Sequence, residues 1–167
     1  MHNALISIKP CYVEKLISGR KTVEIRSRQV NLPPNSRLWI YSTLPKACVQ
    51  AIVQVDYVDV GVPTSIWWKY NGSLGVSKDR FYDYVNGSKL VSAIIVDQVW
   101  GLPVDITLKH LKEKVPGFHP PQFLKYMNEM DPLLLAIAEF LFHKIGYEFF
   151  KKIGLTKLLQ SVAKGCG

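Results

Sequence analysis

Apolar residues alternate with polar ones in some stretches of this chain and return every three or four positions in others. The switches mark its elements. Residues 4–8 form a short apolar run that predicts a strand. Pro10 suits the first turn of a helix, where its missing N–H is not needed. Tyr12, Val13, Leu16 and Ile17 then recur at helical spacing, and Gly19 stands where a left-handed C-terminal cap belongs. After it, TVEIRSR (residues 22–28) alternates, with Val23 and Ile25 on one side and Thr22, Glu24, Arg26 and Arg28 on the other. Lys21 lies at the junction, and alternation alone leaves its direction open.

NLPPNS is a turn segment, followed by strands in RLWIYS and in the long ACVQAIVQVDYVDV. In the latter, Ala47, Val49, Ala51, Val53, Val55 and Tyr57 predict one apolar face. Residues 62–87 read as helical and aromatic, with Ser77 capping a helix and Asn86-Gly87 ending it. KLVSAIIVDQVW is apolar on both faces, which predicts a central strand. Residues 102–127 read as a loop, a short helix, a turn and a second short helix. Asp131-Pro132 then supplies a cap and first helical residue for LLLAIAEFLFHKI, and Leu155, Leu158, Leu159 and Val162 form a further stripe. The whole predicts an α+β fold: a small mixed β-barrel of about five strands with helices in the connections, over residues 1–130, and a helical C-terminal extension, residues 131–167. That extension would pack on the barrel or on a partner, with a homo-oligomer as one outcome.

Composition narrows the classes. Hydrophobic residues at 48% with 20% charged exclude a disordered chain, and 167 residues suffice for one core. A formal charge of +8 favours phosphate-bearing or otherwise acidic partners. Cys11, Cys48 and Cys166 make no CxxC pair, so neither a disulfide framework nor a zinc site is expected. Cys11 and Cys48 read as buried thiols. His2, His110, His119 and His143 are scattered, with no metal-ligand spacing, and no cofactor fingerprint is present. The polar N-terminus is no signal peptide, and PLLLAIAEFLFHKIG falls short of a span, so no membrane insertion and a cytoplasmic location are expected.

The chemistry concentrates near the first reversal. Between residues 9 and 28, Lys9, Lys15, Arg20, Lys21, Arg26 and Arg28 face only Glu14 and Glu24. Such a cluster is either a solvated strand face, where exposed pairs contribute little, or a site whose arginine forks grip phosphate or a base edge. Gly19, Lys21, Glu24 and Arg26 fit a G-x-K-x-x-E-x-R pattern. With the preceding SIKPCYVEKLISG, with IYSTLP and with PPQFLKYM, that pattern makes the chain up to about residue 128 resemble the ASCH family (activating signal cointegrator homology), a branch of the PUA-like barrels. The resemblance implies a pseudo-barrel with a cleft lined by Lys21, Glu24 and Arg26.

That cleft would bind RNA or a modified nucleoside or nucleotide, with a role in RNA-linked or transcriptional regulation. Thr22, Arg28, Ser42, Thr43 and Gln122 are further polar candidates, and Trp39, Tyr41, Trp67, Trp68 and Tyr126 are candidate stacking faces. Some relatives are amidohydrolases of N4-acetylcytidine that use a threonine nucleophile. Here Glu24 occupies that position, and Thr22 does not match it. Binding is therefore favoured over catalysis. Ribonuclease action through Lys21 and Glu24 ranks ahead of amide hydrolysis, and an interaction module working through the helical tail is the third reading. The tail itself is basic: Lys144, Lys151, Lys152, Lys157 and Lys164 oppose Glu148.

Overall fold

Six strands make one sheet in the order β2 (Val23–Arg26), β5 (Val91–Thr107), β4 (Cys48–Gly61), β3 (Arg37–Ser42), β1 (Asn3–Ile8), β6 (Leu124–Met127). These come from a computed structural model that describes residues 2–165, with side chains through residue 163. Among the described residues only the β1–β3 pairing is parallel. The sheet curls into a half-barrel whose edges, β2 and β6, are not hydrogen-bonded to each other. Side chains and loops bridge the gap instead: the Asn31 N–H donates to the Tyr126 hydroxyl at 3.1 Å, and Arg28 lies 5.9 Å from the Phe123 ring.

The helices are α1 (Pro10–Ile17), α2 (Pro63–Tyr70), α3 (Lys78–Tyr84), α4 (Leu108–Lys114), α5 (Pro132–Ile145), α6 (Tyr147–Lys152) and α7 (Thr156–Gly165). Their ends carry the expected chemistry. Pro10 opens α1, and Gly19 follows that helix in the left-handed region at φ +74°. Ser77 caps α3, and Asp131 Oδ1 accepts from the Leu133 N–H at 2.9 Å at the start of α5.

The sheet buries both faces. Ala4, Ile6, Ile8, Leu38, Ile40, Ala51, Val53 and Val55 pack with Val13 and Leu16 of α1 on one side. Leu5, Trp39, Tyr41, Val49, Ile52 and Ile106 pack on the other, against α4 to α7. Leu133, Leu134, Ile137 and Leu141 of α5 belong to this second core, and each such burial contributes about 1.5–3 kcal/mol. The apolar stripe of α5 is thus spent on the sheet. A third cluster joins Val23 and Ile25 of β2 to Ile66, Tyr70, Phe81 and Val85 around α2 and α3.

Three expectations need correction. Residues 124–127, expected to be helical, form β6 on the free edge of β1. β5 runs on to Thr107 through the stretch expected to be a loop; Val49 pairs Ile106 while Ala51 pairs Gly101, so Pro103 falls in an unpaired bulge where its missing N–H costs no ladder bond. The uniform apolar face of β4 also fails. The irregularity between Val49 and Ala51 sends Val49 and Ile52 to the tail side and Ala51, Val53 and Val55 to the α1 side. Tyr57, beyond two more irregularities, is exposed, and Ala47 precedes the strand.

Candidate functional site

The turn after α1 delivers Lys21 and β2 into the interior. Ser73 O accepts from the N–H groups of both Thr22 and Val23, at 3.0 and 3.2 Å, tying the start of β2 to the loop between α2 and α3. Lys15 and Lys21 reach across to the same loop, donating to Gly75 O at 2.6 Å and to Leu74 O at 2.7 Å. Gly75 has φ +66°, and a Cβ there would meet Lys15 Cδ and Lys21 Cβ at 3.2 Å. The loop can approach this closely because that residue carries no side chain.

Lys21, Glu24 and Arg26 form one connected cluster. Lys21 Nζ lies 3.2 Å from Glu24 Oε2, and Arg26 Nη2 lies 3.1 Å from Glu24 Oε1. Arg26 Nη2 also donates to Ser7 O at 3.1 Å, spanning from β2 to β1 at the mouth of the half-barrel. The three side chains are almost wholly buried, with residue exposures of 3%, 8% and 5%. Two cations and one anion leave an excess of one positive charge. Among the described residues, Arg26 Nε and Ser7 Oγ have no hydrogen-bond partner. Lys21 keeps a third ammonium proton beyond its two bonds, and each carboxylate oxygen keeps acceptor capacity. Buried donors left over in this way, each costing about 1–3 kcal/mol when unsatisfied, suit an anionic or carbonyl-bearing ligand.

This cluster lies on the wall of a cleft of about 1000 Å³. Ser7, Ile8 and Lys9 come from the end of β1, Cys11 and Tyr12 from α1, and Thr43 from just beyond β3. Arg80, Phe81, Asp83 and Tyr84 come from α3, and Pro120, Pro121 and Gln122 from the segment before β6. Of the residues expected from sequence, Lys21, Glu24, Arg26, Thr43 and Gln122 meet here.

The others lie elsewhere. Thr22 and Arg28 flank β2, exposed and outside the cleft lining. Trp39 is inside the second core, its indole N–H donating to Asn3 Oδ1 at 3.1 Å. Tyr41 sits in the same core, where burial raises its phenol pKa. Neither ring can stack on a ligand without unpacking the sheet. Ser42 is wholly buried, and Tyr126 is bound to Asn31 at the sheet edge. Trp67 packs on Phe81 at 5.2 Å, and Trp68 stands in solvent. His119 is exposed and outside the cleft. Cys48 is buried, and burial beside Asp105 pushes its thiol up to about 11. Cys11, expected to be buried, is exposed at the cleft rim because it occupies the outward face of α1. Cys166 lies outside the described residues.

The aromatic wall of the cleft is therefore not the expected one. Tyr12, Phe81 and Tyr84 supply it, from two helices that converge only in the fold. Helical spacing in KDRFYDY does place Arg80, Phe81 and Tyr84 within one broad face of α3, a signal in the sequence that the expected stacking set passed over. The described residues contain no group of three or more His, Cys, Asp or Glu placed to hold a metal ion, and none of their helices is long and apolar enough to cross a membrane.

No family model matches the chain. A curated relative, the ASCH domain-containing ribonuclease of Zymomonas mobilis, is 31% identical over 127 residues, spanning 75% of this chain and 84% of the relative. The crystal structure of ASCH from the same organism superposes with a TM-score of 0.75 at 27% identity, covering 82% of this chain and 94% of that one. A tyrosine-to-phenylalanine variant of that protein gives 0.74 at 28% identity, covering 82% and 96%. A Rhodopseudomonas palustris protein solved by NMR shares the fold alone, at 11% identity and a TM-score of 0.52 over 84% of this chain and 94% of that one.

Proposed function

The chain belongs to the ASCH domain family, and from that premise we propose that it binds RNA in the cleft beside Lys21, Glu24 and Arg26 and cleaves it there. The observation that carries the reading is the buried Lys–Glu–Arg cluster with unspent donors, opening on a cleft, in a chain 31% identical to a protein named as a ribonuclease. Sequence alone favoured binding without turnover; the relative shifts the balance toward cleavage.

The chemistry available is attack by the ribose 2′-hydroxyl on the adjacent phosphorus. Glu24 accepts the 2′-proton as the new P–O bond forms. Lys21 and Arg26 meet the charge that grows on the phosphoryl oxygens, the kind of preorganised stabilisation worth about 2.7–4 kcal/mol per donor. The P–O5′ bond breaks, and the 5′-oxygen takes a proton from Lys21 or solvent. The products are a 2′,3′-cyclic phosphate and a free 5′-hydroxyl. This route needs a carboxylate where the hydrolytic relatives of the family carry threonine, and Glu24 meets that need.

The test uses an end-labelled oligoribonucleotide and the same strand with every ribose 2′-O-methylated. The protein should cut the first, leaving cyclic phosphate ends, and should bind the second intact. Retention of both strands uncut would return the reading to RNA binding alone. Failure to bind either would end it.

A further inference from the structure

We infer that the turn joining α6 to α7 carries a second RNA-binding surface, which holds phosphates of the strand outside the cleft through Lys144, Lys151, Lys152 and Lys157. This inference rests on the RNA reading above and adds to it a site that shares no residue with the cleft.

Charge and anchoring carry it first. Residues 144–164 hold five lysines against Glu148 alone, half of the chain's formal charge of +8. Lys144, Lys151, Lys152 and Lys157 are exposed, and among the described residues none of them is ion-paired, whereas Lys114 of α4 holds Glu139 at 3.3 Å. Helix dipoles account for Lys144, Lys151 and Lys152, which stand in the last turns of α5 and α6. They do not account for Lys157, whose charge opposes the dipole in the first turn of α7. The turn between α6 and α7 is pinned from beneath: Arg37 Nη2 donates to Ile153 O at 3.0 Å, and the Leu155 N–H donates to Phe150 O at 2.8 Å. Its lysines stand on a fixed platform, not on a loose arm.

What this platform leaves exposed suits a polyanion. The apolar sides of the tail helices are spent on the sheet, with Leu141, Phe150, Ile153, Leu155 and Leu158 all buried. Of the large apolar side chains described in the tail, a bilayer would meet the half-exposed rings of Phe142 and Tyr147, too little to seat a helix face in lipid. RNA needs no apolar face, because counterions released from its phosphates drive the binding, and the two rings offer its bases a stacking surface. Arg37 opens β3, and Thr43, in the cleft wall, follows that strand's end. At about 3.3 Å per residue, the anchor of the basic turn therefore lies roughly 20 Å from the cleft. At about 3.4 Å per nucleotide, a dinucleotide falls short of that distance and a twenty-nucleotide strand spans it. Occupying both surfaces raises affinity for long strands without any new contact in the cleft.

The experiment measures binding of two 2′-O-methylated probes, a dinucleotide and a twenty-nucleotide strand, over a potassium chloride series. It compares wild type with a variant combining Lys144→Gln, Lys151→Gln, Lys152→Gln and Lys157→Gln, and with a variant that has arginine at the same four positions. The glutamine variant should bind the long strand about 10- to 100-fold more weakly, with a log–log salt slope shallower by about 2–3, at roughly 0.7 per phosphate contact. The arginine variant should bind it like wild type. Dinucleotide affinity should be unchanged in both variants. All four positions are exposed, which makes the changes compatible with folding, and circular dichroism checks it. Long-strand affinity and slope equal in wild type and the glutamine variant, or an equal loss on the dinucleotide, overturn the second surface and leave the RNA reading standing. So does wild type pelleting with vesicles of three parts phosphatidylcholine to one of phosphatidylserine while the lysines make no difference to the long strand. If wild type binds neither probe, the RNA reading itself fails, and this surface with it.

Discussion

Arg26 and Arg37 are a natural pair. Each is about 95% buried, at 5% and 6% exposure. Each donates through Nη2 to a main-chain carbonyl, Ser7 O at 3.1 Å and Ile153 O at 3.0 Å, and each has an Nε without a partner among the described residues. Their surroundings differ. Arg37 lies over Trp100 with its guanidinium 5.1 Å from the ring, is bonded to Gln54, and is covered by the turn between α6 and α7. Arg26 stands beside a carboxylate and borders the cleft. A buried arginine with a spare donor is therefore not in itself a site. What differs is the setting: Arg26 lines a cleft with a second cation, Lys21, on the same carboxylate, whereas Arg37 is closed over by the tail.

The sharpest way to break this contrast is to remove each guanidinium in turn. Arg26→Met should lower the rate of RNA cleavage by about 100- to 1,000-fold, whereas Arg37→Met should leave kcat unchanged under conditions where both proteins are folded. Equal losses would erase the distinction. Stability should move the other way. Arg37→Met strands Ile153 O and Gln54 beneath the tail and loses the Trp100 contact, a cost of about 2–4 kcal/mol. Arg26→Met should cost less, since Glu24 keeps Lys21 and can be hydrated from the cleft. Denaturant midpoints of the two variants read the difference directly.

Most of what places Arg26 was legible in the chain. Pro10, the Gly19 reversal and the strict alternation of Val23 to Arg26 define the helix and strand that present the cluster. The neighbours of that strand were not legible. Its polar face looked solvent-exposed in local pattern, yet β1, α1 and α3 enclose it, and nothing within TVEIRSR reports those distant elements. The same blindness led to Trp39 and Tyr41 as stacking faces: their strand is covered on both sides, by α1 and by the tail helices. The segment around Phe123, Leu124, Tyr126 and Met127 fits a helical stripe as well as a short edge strand, and the open edge of β1 decides it. Arg37 gave no signal, because its partners Gln54, Trp100 and Ile153 lie 17 to 116 positions away.

A smaller effect should appear at Asp59, well away from both arginines. Lys69 at 2.6 Å and the Tyr70 hydroxyl at 2.8 Å hold its carboxyl below the ordinary value. A lowered folded-state pKa contributes stability above the unfolded value, near pH 3.9, and that contribution is lost as pH falls through the folded value. Asp59→Asn should thus lower the melting temperature slightly at pH 7, with the gap to wild type closing below about pH 4. RNA cleavage should not change. A loss of activity there would mean that the functional surface extends beyond the cleft.

The most direct measurement is a crystal structure with a 2′-O-methylated dinucleotide, which can bind and cannot react. Its phosphate is expected in the cleft, within about 3 Å of the Lys21 ammonium or the Arg26 guanidinium. A phosphate bound instead along the basic tail, with the cleft holding only solvent, would contradict it.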